Sequence, residues 1–152
     1  MGIGDHILLG FQAVLFGSGM VQFLGIGIPL PILTVFLGLV TGIVVGSVPG
    51  LAGPKAMAGA PPILISIFGY ETSAILPVLG FLIGIMKGAT VGGAVPAILF
   101  NTPGTPDALM TTLDGYPMTR RGKAFKALRV AHFSSVSGDS ISDIVLFIGA
   151  PF

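Results

Sequence analysis

Charged residues are scarce in this chain, and cysteine and tryptophan are absent. Lysine, arginine, aspartate and glutamate together make up 9% of its 152 residues, against roughly 25% in an average soluble domain. Without cysteine the chain has no disulfide, thiolate metal site or cysteine nucleophile. The two histidines, His6 and His132, are too far apart in sequence for a local metal-binding motif. A formal net charge of +1 also argues against nucleic acid as a partner, since phosphates need a basic face.

The chain is instead rich in apolar sequence. Hydrophobic residues make up 53% of it, the mean hydropathy is +0.99, and residues 7–54 contain no charge. That run is far longer than the ~20 apolar residues that cross the hydrocarbon core once. A cleavable signal is a poor match, because Asp5 stands where a basic region belongs and the apolar run exceeds about 15 residues. We therefore predict an integral membrane protein in a lipid bilayer.

Helical periodicity predicts where the membrane helices lie. Residues 1–19 have the pattern of an amphipathic helix at the membrane interface, ended by Gly17 and Gly19; a full span over residues 7–28 is the alternative. Spans are predicted over about 31–48 and 74–100. In both, glycine recurs every four residues, a pattern that lets helices approach closely in lipid. These glycines are Gly38, Gly42 and Gly46 in the first span and Gly80, Gly84, Gly88 and Gly92 in the second.

Each glycine-striped helix leads into a segment rich in proline and glycine. We predict broken or re-entrant segments over about 47–69 and 93–113, because irregular backbone at membrane depth must be buried in protein or line a watery cavity. In the first, "SVPGLAG", the Ser47 hydroxyl and the carbonyls around Pro49, Gly50 and Leu51 are candidate ion ligands, since a hard cation prefers oxygen.

The second break contains "NTPGTP", our candidate for the substrate site. Its prolines and Gly104 can begin a half-helix, with Thr102 or Thr105 as N-cap and Asp107 in the first turn. The partial positive charge of a helix N-terminus, with neutral donors around it, suits a carboxylate. A membrane-edge loop is the alternative. The predicted substrate-binding residues here are Asn101, Thr102, Pro103, Gly104, Thr105 and Pro106.

Lys87 is the only charged residue in the predicted span 74–100. An ionised side chain is expensive in hydrocarbon, so it indicates a functional site. We predict that Lys87 pairs with a substrate carboxylate or with an acid in a part of the protein beyond residues 1–152. The alternative is that its stem snorkels to an interface, as we expect for Lys55.

Residues 114–129 hold five of the seven basic residues, which predicts a cytoplasmic loop by the positive-inside rule. Asp114, Gly115, Tyr116 and Pro117 favour a tight turn there, with ion coordination as the alternative. Residues 130–152 have the composition of a truncated helix, one whose two acids must face protein rather than lipid if it spans the membrane.

The C-terminal stretch also contains the residue types of a hydrolase triad in His132, Ser134, Ser135 and Asp139. Serine-rich small faces are common in membrane helices, and no nucleophile elbow is present. We therefore predict no catalytic residue, no metal site and no cofactor, apart from a coupling ion.

Two long motifs resemble a known family. "GIVVGSVPGLAGPKAMA" at 42–58 and "GGAVPAILFNTPGTPDALMTTLDGYPM" at 92–118, followed by "RRGKAFKAL", are similar to TctA, the large membrane subunit of the tripartite tricarboxylate transporters. The resemblance implies an all-α, multi-pass permease of the bacterial inner membrane that imports carboxylates with a sodium or proton gradient. It implies two partners, a periplasmic solute-binding protein and a small membrane subunit. It also implies that 1–152 is one membrane domain, the N-terminal part of a longer permease; a truncated, non-transporting fragment is the alternative.

Overall fold

The computed structural model describes residues 3–16, 19–23, 26–51 and 53–149. Within them the regular secondary structure is helical except for one small antiparallel hairpin, so the all-α class is confirmed in outline. The hairpin joins β1 (Met20–Phe23) to β2 (Ile26–Pro29). The helices are α1 (Ile3–Phe16), α2 (Leu30–Gly46), α3 (Gly53–Phe68), α4 (Ile75–Phe100), α5 (Leu109–Arg120) and α6 (Ala124–Gly149). Short 3₁₀ turns, Thr72–Ala74 and Pro106–Ala108, precede α4 and α5.

The N-terminal helix is described from Ile3 to Phe16. Gly17 lies outside the described residues, and Gly19 is not helical. A continuous span over 7–28 is wrong, because residues 20–23 and 26–29 pair as strands and Leu30 N–H donates to the Gly19 carbonyl at 3.1 Å. Gly19 has φ +68°, a left-handed conformation that interrupts a helix and that glycine adopts without steric cost.

The centre of the fold is the close packing of α2 against α4. Glycines on α2 lie directly on the α4 backbone: Gly38 faces Phe81, Gly42 faces Ile85 and Gly46 faces Ala89. Glycines on α4 lie in the same way on the α2 backbone: Gly84 against Val35, Gly88 against Leu39 and Gly92 against Ile43. The absent side chains let the two backbones touch, as the four-residue glycine spacing predicts.

These contacts also fix the relative direction of the two helices. Partner numbers rise together along α2 and α4, so the helices run parallel and end on the same side of the fold. Antiparallel neighbours would show the opposite order. The chain between them, including α3, must therefore return to the starting side before α4 begins.

The first proline- and glycine-rich segment is largely helical, which corrects its predicted extent of 47–69. Residues 47–51 and Gly69 are non-helical, residue 52 is outside the described chain, and α3 runs from Gly53 through Pro61 and Pro62 to Phe68. Two prolines remove two backbone donors. Packing offsets that loss, because Ala60 and Leu64 bury their side chains against Ile85 of α4.

The second break also begins later than predicted. The helix α4 continues through Gly93 and Pro96 and ends at Phe100, so residues 93–100 are not irregular. Pro96 and Ile98 are both fully buried. Their packing stabilises α4 at the position where proline, which has no backbone N–H, removes one hydrogen bond of the helix. The irregular backbone is confined to 101–105.

The predicted turn at 114–117 is wrong, since Asp114, Gly115, Tyr116 and Pro117 all lie inside α5. Gly115 serves close packing instead: a Cβ there would lie 2.7 Å from Ile98 Cγ1 of α4. The predicted loop 114–129 is likewise mostly helical, with 121–123 connecting α5 to α6.

The reversal between α5 and α6 occurs at Gly122, which has φ +75°. Gly122 N–H donates to Thr119 O at 2.9 Å and Lys123 N–H to Met118 O at 2.9 Å. These two bonds are the Schellman pattern of a helix C-terminus, where glycine takes the left-handed position. The glycine that makes the chain reversal is therefore Gly122, five residues after the turn that was predicted at 114–117.

One described helical segment, Thr72–Phe100, is long and apolar enough to cross a membrane; it has 29 residues and a mean hydropathy of 1.9. The helix α2 and residues Ile7–Phe16 are apolar but shorter. The helix α6 begins at Ala124, not at 130, and runs antiparallel to α4: His132 lies beside Val91, while Asp139 contacts Lys87.

Candidate functional site

The chain reverses sharply where α4 ends. Asn101 has φ 57° and ψ 26°, and it is the only non-glycine residue with positive φ in the part of the chain that the structure describes. Asparagine tolerates this left-handed conformation better than most residues. The N–H groups of Asn101 and Thr102 both donate to the Pro96 carbonyl. Asn101 therefore has a backbone role, and its side chain is exposed.

The reversal returns the chain to the end of α2. Gly104 N–H donates to Gly93 O at 3.3 Å, and a Cβ on Gly104 would collide with the Gly46 carbonyl and lie 3.0 Å from Gly93 Cα. Gly46 is the last residue of α2. We call this contact, formed by Gly46, Gly93, Gly104 and Thr105, the junction. Although α4 continues past the end of α2, residues 101–105 fold back and place Gly104 on the last residue of α2.

Thr105 is the most unusual polar side chain at the junction. It is 6% exposed, and its Oγ1 has no hydrogen-bond partner among the described residues. The space it occupies exists because residue 93 is glycine, since a Cβ there would lie 2.6 Å from Thr105 Oγ1. Buried hydroxyls are nearly always paired, so this one requires an explanation.

The predicted half-helix begins where expected. Thr105 occupies the N-cap position before Pro106, and Asp107 lies in the first turn. The threonine hydroxyl makes no capping bond. The C-terminus of α2 and the N-terminus of the 3₁₀ turn that leads into α5 therefore meet at the junction. Opposite helix ends carry partial charges of opposite sign, so the junction offers polarity for both an anion and a cation.

The ion ligands predicted in the first break are partly engaged. Ser47 Oγ donates to the Ile43 carbonyl at 2.7 Å, and Lys55 Nζ donates to the Gly50 carbonyl at 2.8 Å. Pro49 and Leu51 are exposed. The Gly50 carbonyl therefore already accepts a hydrogen bond from a cationic side chain.

Lys87 is not at the junction but pairs with α6. Its Nζ lies 2.6 Å from Asp139 Oδ1 and 3.1 Å from Asp143 Oδ1. The two acids are four residues apart, so they share one face of the helix. Neither predicted partner is the one that the structure shows, since both carboxylates belong to this chain and pair with Lys87 without a substrate. The sequence contained a signal for this pairing, one lysine in the apolar α4 and two acids four residues apart in the C-terminal half of α6.

A cleft of about 460 Å³ lies beside this charge cluster, between α4 and α6. Hydroxyls of Thr90, Ser134, Ser135, Ser140 and Ser142 line it. His132 Nε2 is 3.2 Å from the Val91 carbonyl. The residue types of a hydrolase triad are thus placed apart: the histidine contacts a backbone carbonyl and Asp139 binds lysine.

Membrane transporters place the broken ends of helices beside a substrate site, and in this chain the second break packs against the end of α2. The comparison with known proteins agrees with that class. The sequence profile of the tripartite tricarboxylate transporter TctA family matches residues 32–152, and the chain belongs to that family. This is a family of transporter subunits, not of enzymes.

The chain is also similar to the "Uncharacterized 52.8 kDa protein in TAR-I ttuC' 3'region" of Agrobacterium vitis. The two are 37% identical over 123 residues, which cover 81% of this chain and 23% of that relative. The chain therefore corresponds to about a quarter of the relative's length. No solved structure matches the chain.

Proposed function

We propose that this chain is part of a multi-pass permease of the bacterial inner membrane that imports tricarboxylates or related carboxylates by secondary active transport. A periplasmic solute-binding protein delivers the substrate, and a small membrane subunit completes the complex. One observation carries the proposal: Gly104 packs on the carbonyl of Gly46, so the second irregular segment lies against the end of α2, where the first irregular segment begins. Family membership supports the substrate class.

The carboxylate is bound beside the junction, at the N-terminus of the 3₁₀ turn that begins with Pro106. Asn101, Thr102 and Pro106 are exposed there, while Gly104 and Thr105 are buried beneath them. Neutral donors and a helix N-terminus bind an anion without a buried positive side chain. Lys87 belongs to the α4–α6 interface in this proposal and not to the substrate site.

We expect Gly104→Ala to weaken citrate binding to the purified chain by roughly tenfold, because the added methyl group must move the loop off α2 and a 1.4 kcal/mol loss is tenfold. Equilibrium dialysis with labelled citrate measures this. Gly138→Ala is the matched control, since a Cβ at Gly138 meets nothing within 4 Å. Unchanged citrate affinity in Gly104→Ala, with the helical content intact, would contradict the proposed site.

Two substitutions of Asn101 distinguish a role of its backbone conformation from a role of its side-chain amide. Asn101→Gly keeps the left-handed conformation and removes the amide, whereas Asn101→Leu removes the amide and strains the backbone. If the amide binds carboxylate, both variants lose citrate affinity. Normal affinity in Asn101→Gly would restrict Asn101 to shaping the loop.

The alternative is a non-transporting membrane fragment, and the chain's coverage of 23% of its relative favours it. Gradient-driven citrate uptake by proteoliposomes that contain the chain and its solute-binding protein would exclude this alternative. Citrate binding without uptake would support it.

The orientation follows from the connection between α5 and α6. All five basic residues there are exposed: Arg120, Arg121, Lys123, Lys126 and Arg129. We propose that they lie in the cytoplasm. Because the chain has no cysteine, Lys126→Cys provides a single labelling position. We expect an impermeant maleimide to modify it in inside-out vesicles and not in intact cells; labelling of intact cells would reverse the orientation.

A further inference from the structure

A run of basic residues with no acid among them surrounds the start of α6. Residues 115–138 contain five cations, the exposed arginines and lysines of the α5–α6 connection, and no carboxylate. None of the five pairs with a carboxylate in the part of the chain that the structure describes. Cations so close together repel one another, so this surface favours an anionic partner.

Large apolar side chains are exposed next to these cations. Phe125 is 79% exposed and Phe133 is 75% exposed, and Val130 between them is exposed as well. After Arg129 the next charged residue is Asp139, so the surface of α6 changes from basic to apolar within about one turn. The boundary between lipid headgroups and acyl chains has the same change of polarity. Residues 129–133 are therefore suited to that boundary.

Two adjoining grooves lie at this position. The first has a volume of about 300 Å³ and is lined by Arg129, Val130, Phe133 and Ser134. The second has about 320 Å³, lies between α4, α5 and α6, and shares Val130 and Ser134 with the first. Its lining also includes the apolar side chains of Ile98, Met110 and Met118. Arg129 is the one basic residue among the described linings of both grooves, so apolar space adjoins a single arginine.

We propose that this surface binds one anionic phospholipid, whose phosphate pairs with the Arg129 guanidinium and whose acyl chains lie along Val130 and Phe133 and in the second groove. A guanidinium donates two parallel hydrogen bonds to a phosphate, which orients the headgroup as a point charge does not. Asp114 lines the second groove, so the anionic headgroup binds at Arg129 and the second groove takes acyl chain. Basic pockets between membrane helices on the cytoplasmic side bind anionic headgroups in this way.

Phospholipid fits this surface better than a soluble anion does. A free phosphate would use the cations and leave Val130 and Phe133 in water, whereas a lipid covers both the basic and the apolar part. Removing those apolar side chains from water stabilises the complex. The inference rests on the membrane location of the chain and is independent of the substrate and of the junction.

The test uses the absence of tryptophan from the chain. Phe133→Trp introduces a single fluorophore at the first groove, and the exposure of Phe133 leaves room for the larger ring. The full 152-residue chain is reconstituted in vesicles of phosphatidylcholine and phosphatidylglycerol. Brominated acyl chains are placed on one lipid at a time, because bromine quenches only a nearby tryptophan. We expect phosphatidylglycerol to occupy the site roughly fivefold more often than its share of the bilayer, the ratio that one basic residue gives near an anionic headgroup.

Phe36→Trp is the matched control. Phe36 is exposed on α2, within the stretch 7–54 that carries no charge, so the two lipids should quench a tryptophan there in proportion to their shares of the bilayer. In the Phe133→Trp chain, Arg129→Gln should remove most of the preference for phosphatidylglycerol. Arg120→Gln should keep it, since Arg120 lies on α5 and is not among the described residues that line either groove.

Three results of this experiment would overturn the lipid site. One is quenching at position 133 in proportion to the bilayer shares of the two lipids. Another is an equal loss of preference in Arg129→Gln and Arg120→Gln, which would indicate a general effect of charge. The third is a preference that disappears when sodium phosphate replaces sodium chloride at constant ionic strength, because the anion bound there would then be free phosphate.

The native chain provides a measurement that needs no variant to fold. A ligand that binds only the folded state raises the unfolding midpoint. We therefore expect a higher midpoint in detergent micelles that contain phosphatidylglycerol than in micelles that contain phosphatidylcholine at the same fraction. Equal midpoints would contradict the site.

Discussion

Replacing Lys87 by methionine is expected to loosen α6 from α4 and to lower the thermal unfolding midpoint far more than Lys126→Met. The Lys87 ammonium stands between two carboxylates, at 2.6 Å from Asp139 and 3.1 Å from Asp143. Without it, two negative charges remain on one face of α6 with no counter-ion from α4. Lys126 is an exposed residue of α6, so its loss leaves no such charge.

The size of the effect depends on what surrounds the cluster. The three side chains are 34%, 50% and 62% exposed within the chain. If water filled that space, the pairs would contribute about 0–1 kcal/mol. In hydrocarbon, an uncompensated charge costs about 2.5–3.5 kcal/mol on insertion scales. We expect the larger value, because Lys87 lies midway along Thr72–Phe100, the one helical segment among the described residues that is apolar and long enough to span a membrane.

The net charge of the cluster suggests a rescue experiment. One lysine and two aspartates have a net charge of −1, so Asp143→Asn leaves a pair with no net charge, and we expect it to leave the stability unchanged or to raise it. The triple variant Lys87→Met, Asp139→Asn, Asp143→Asn should recover most of the stability that Lys87→Met loses, because no charge remains uncompensated. If Lys87→Met and Lys126→Met shift the midpoint equally, the cluster lies in water and α6 lies outside the membrane.

The same cluster shows what sequence patterns leave undetermined. The lone lysine in an apolar run predicts that a partner exists, but Asp139 and Asp143 are separated from it by 52 and 56 residues. Which acid reaches the lysine depends on how α4 and α6 cross. That crossing is set by packing around Ile98 and Ala127, and no local pattern encodes it.

Glycine and proline were informative where they repeat and misleading where they stand alone. The four-residue glycine spacing in α2 and α4 predicts close packing, and both helices use it. Asp114, Gly115 and Pro117 favour a turn by local propensity, yet they lie in α5. Tertiary packing decides there: Gly115 sits on Ile98, and Thr119 Oγ1 donates to the Ile98 carbonyl at 2.8 Å.

The junction combines both kinds of information. The sequence predicts a substrate site over residues 101–106 and offers Thr102 or Thr105 as the N-cap, and the structure has Thr105 in that position. The contact of Gly104 with Gly46 requires α2 and α4 to be parallel. The periodicity of a sequence does not show whether two helices pack parallel or antiparallel. The unpaired Thr105 hydroxyl likewise becomes visible only when the loop is folded back on Gly93.

The second large effect is expected from Gly88→Ala, which should separate α4 from α2. A Cβ on Gly88 would overlap the Leu39 carbonyl oxygen and lie 2.9 Å from Ile43 N and 3.0 Å from Leu39 C. These are backbone atoms, so no side chain can rotate away and the helices themselves must move. Overpacking of this kind costs about 1–3 kcal/mol and sometimes more. The junction lies at the end of the same helix pair, so citrate binding should weaken as well.

Gly59→Ala is the matched control for this prediction, because Gly59 also lies inside a helix, α3, and a Cβ there meets nothing within 4 Å. Alanine favours a helix over glycine by about 0.8–1 kcal/mol, so Gly59→Ala should raise the thermal midpoint while Gly88→Ala lowers it. The opposite signs matter more than the sizes, since helix propensity alone predicts stabilisation at both positions. If Gly88→Ala were as stable as Gly59→Ala, α2 and α4 would not be in contact through their glycines. That result would contradict the parallel packing that brings Gly104 onto Gly46.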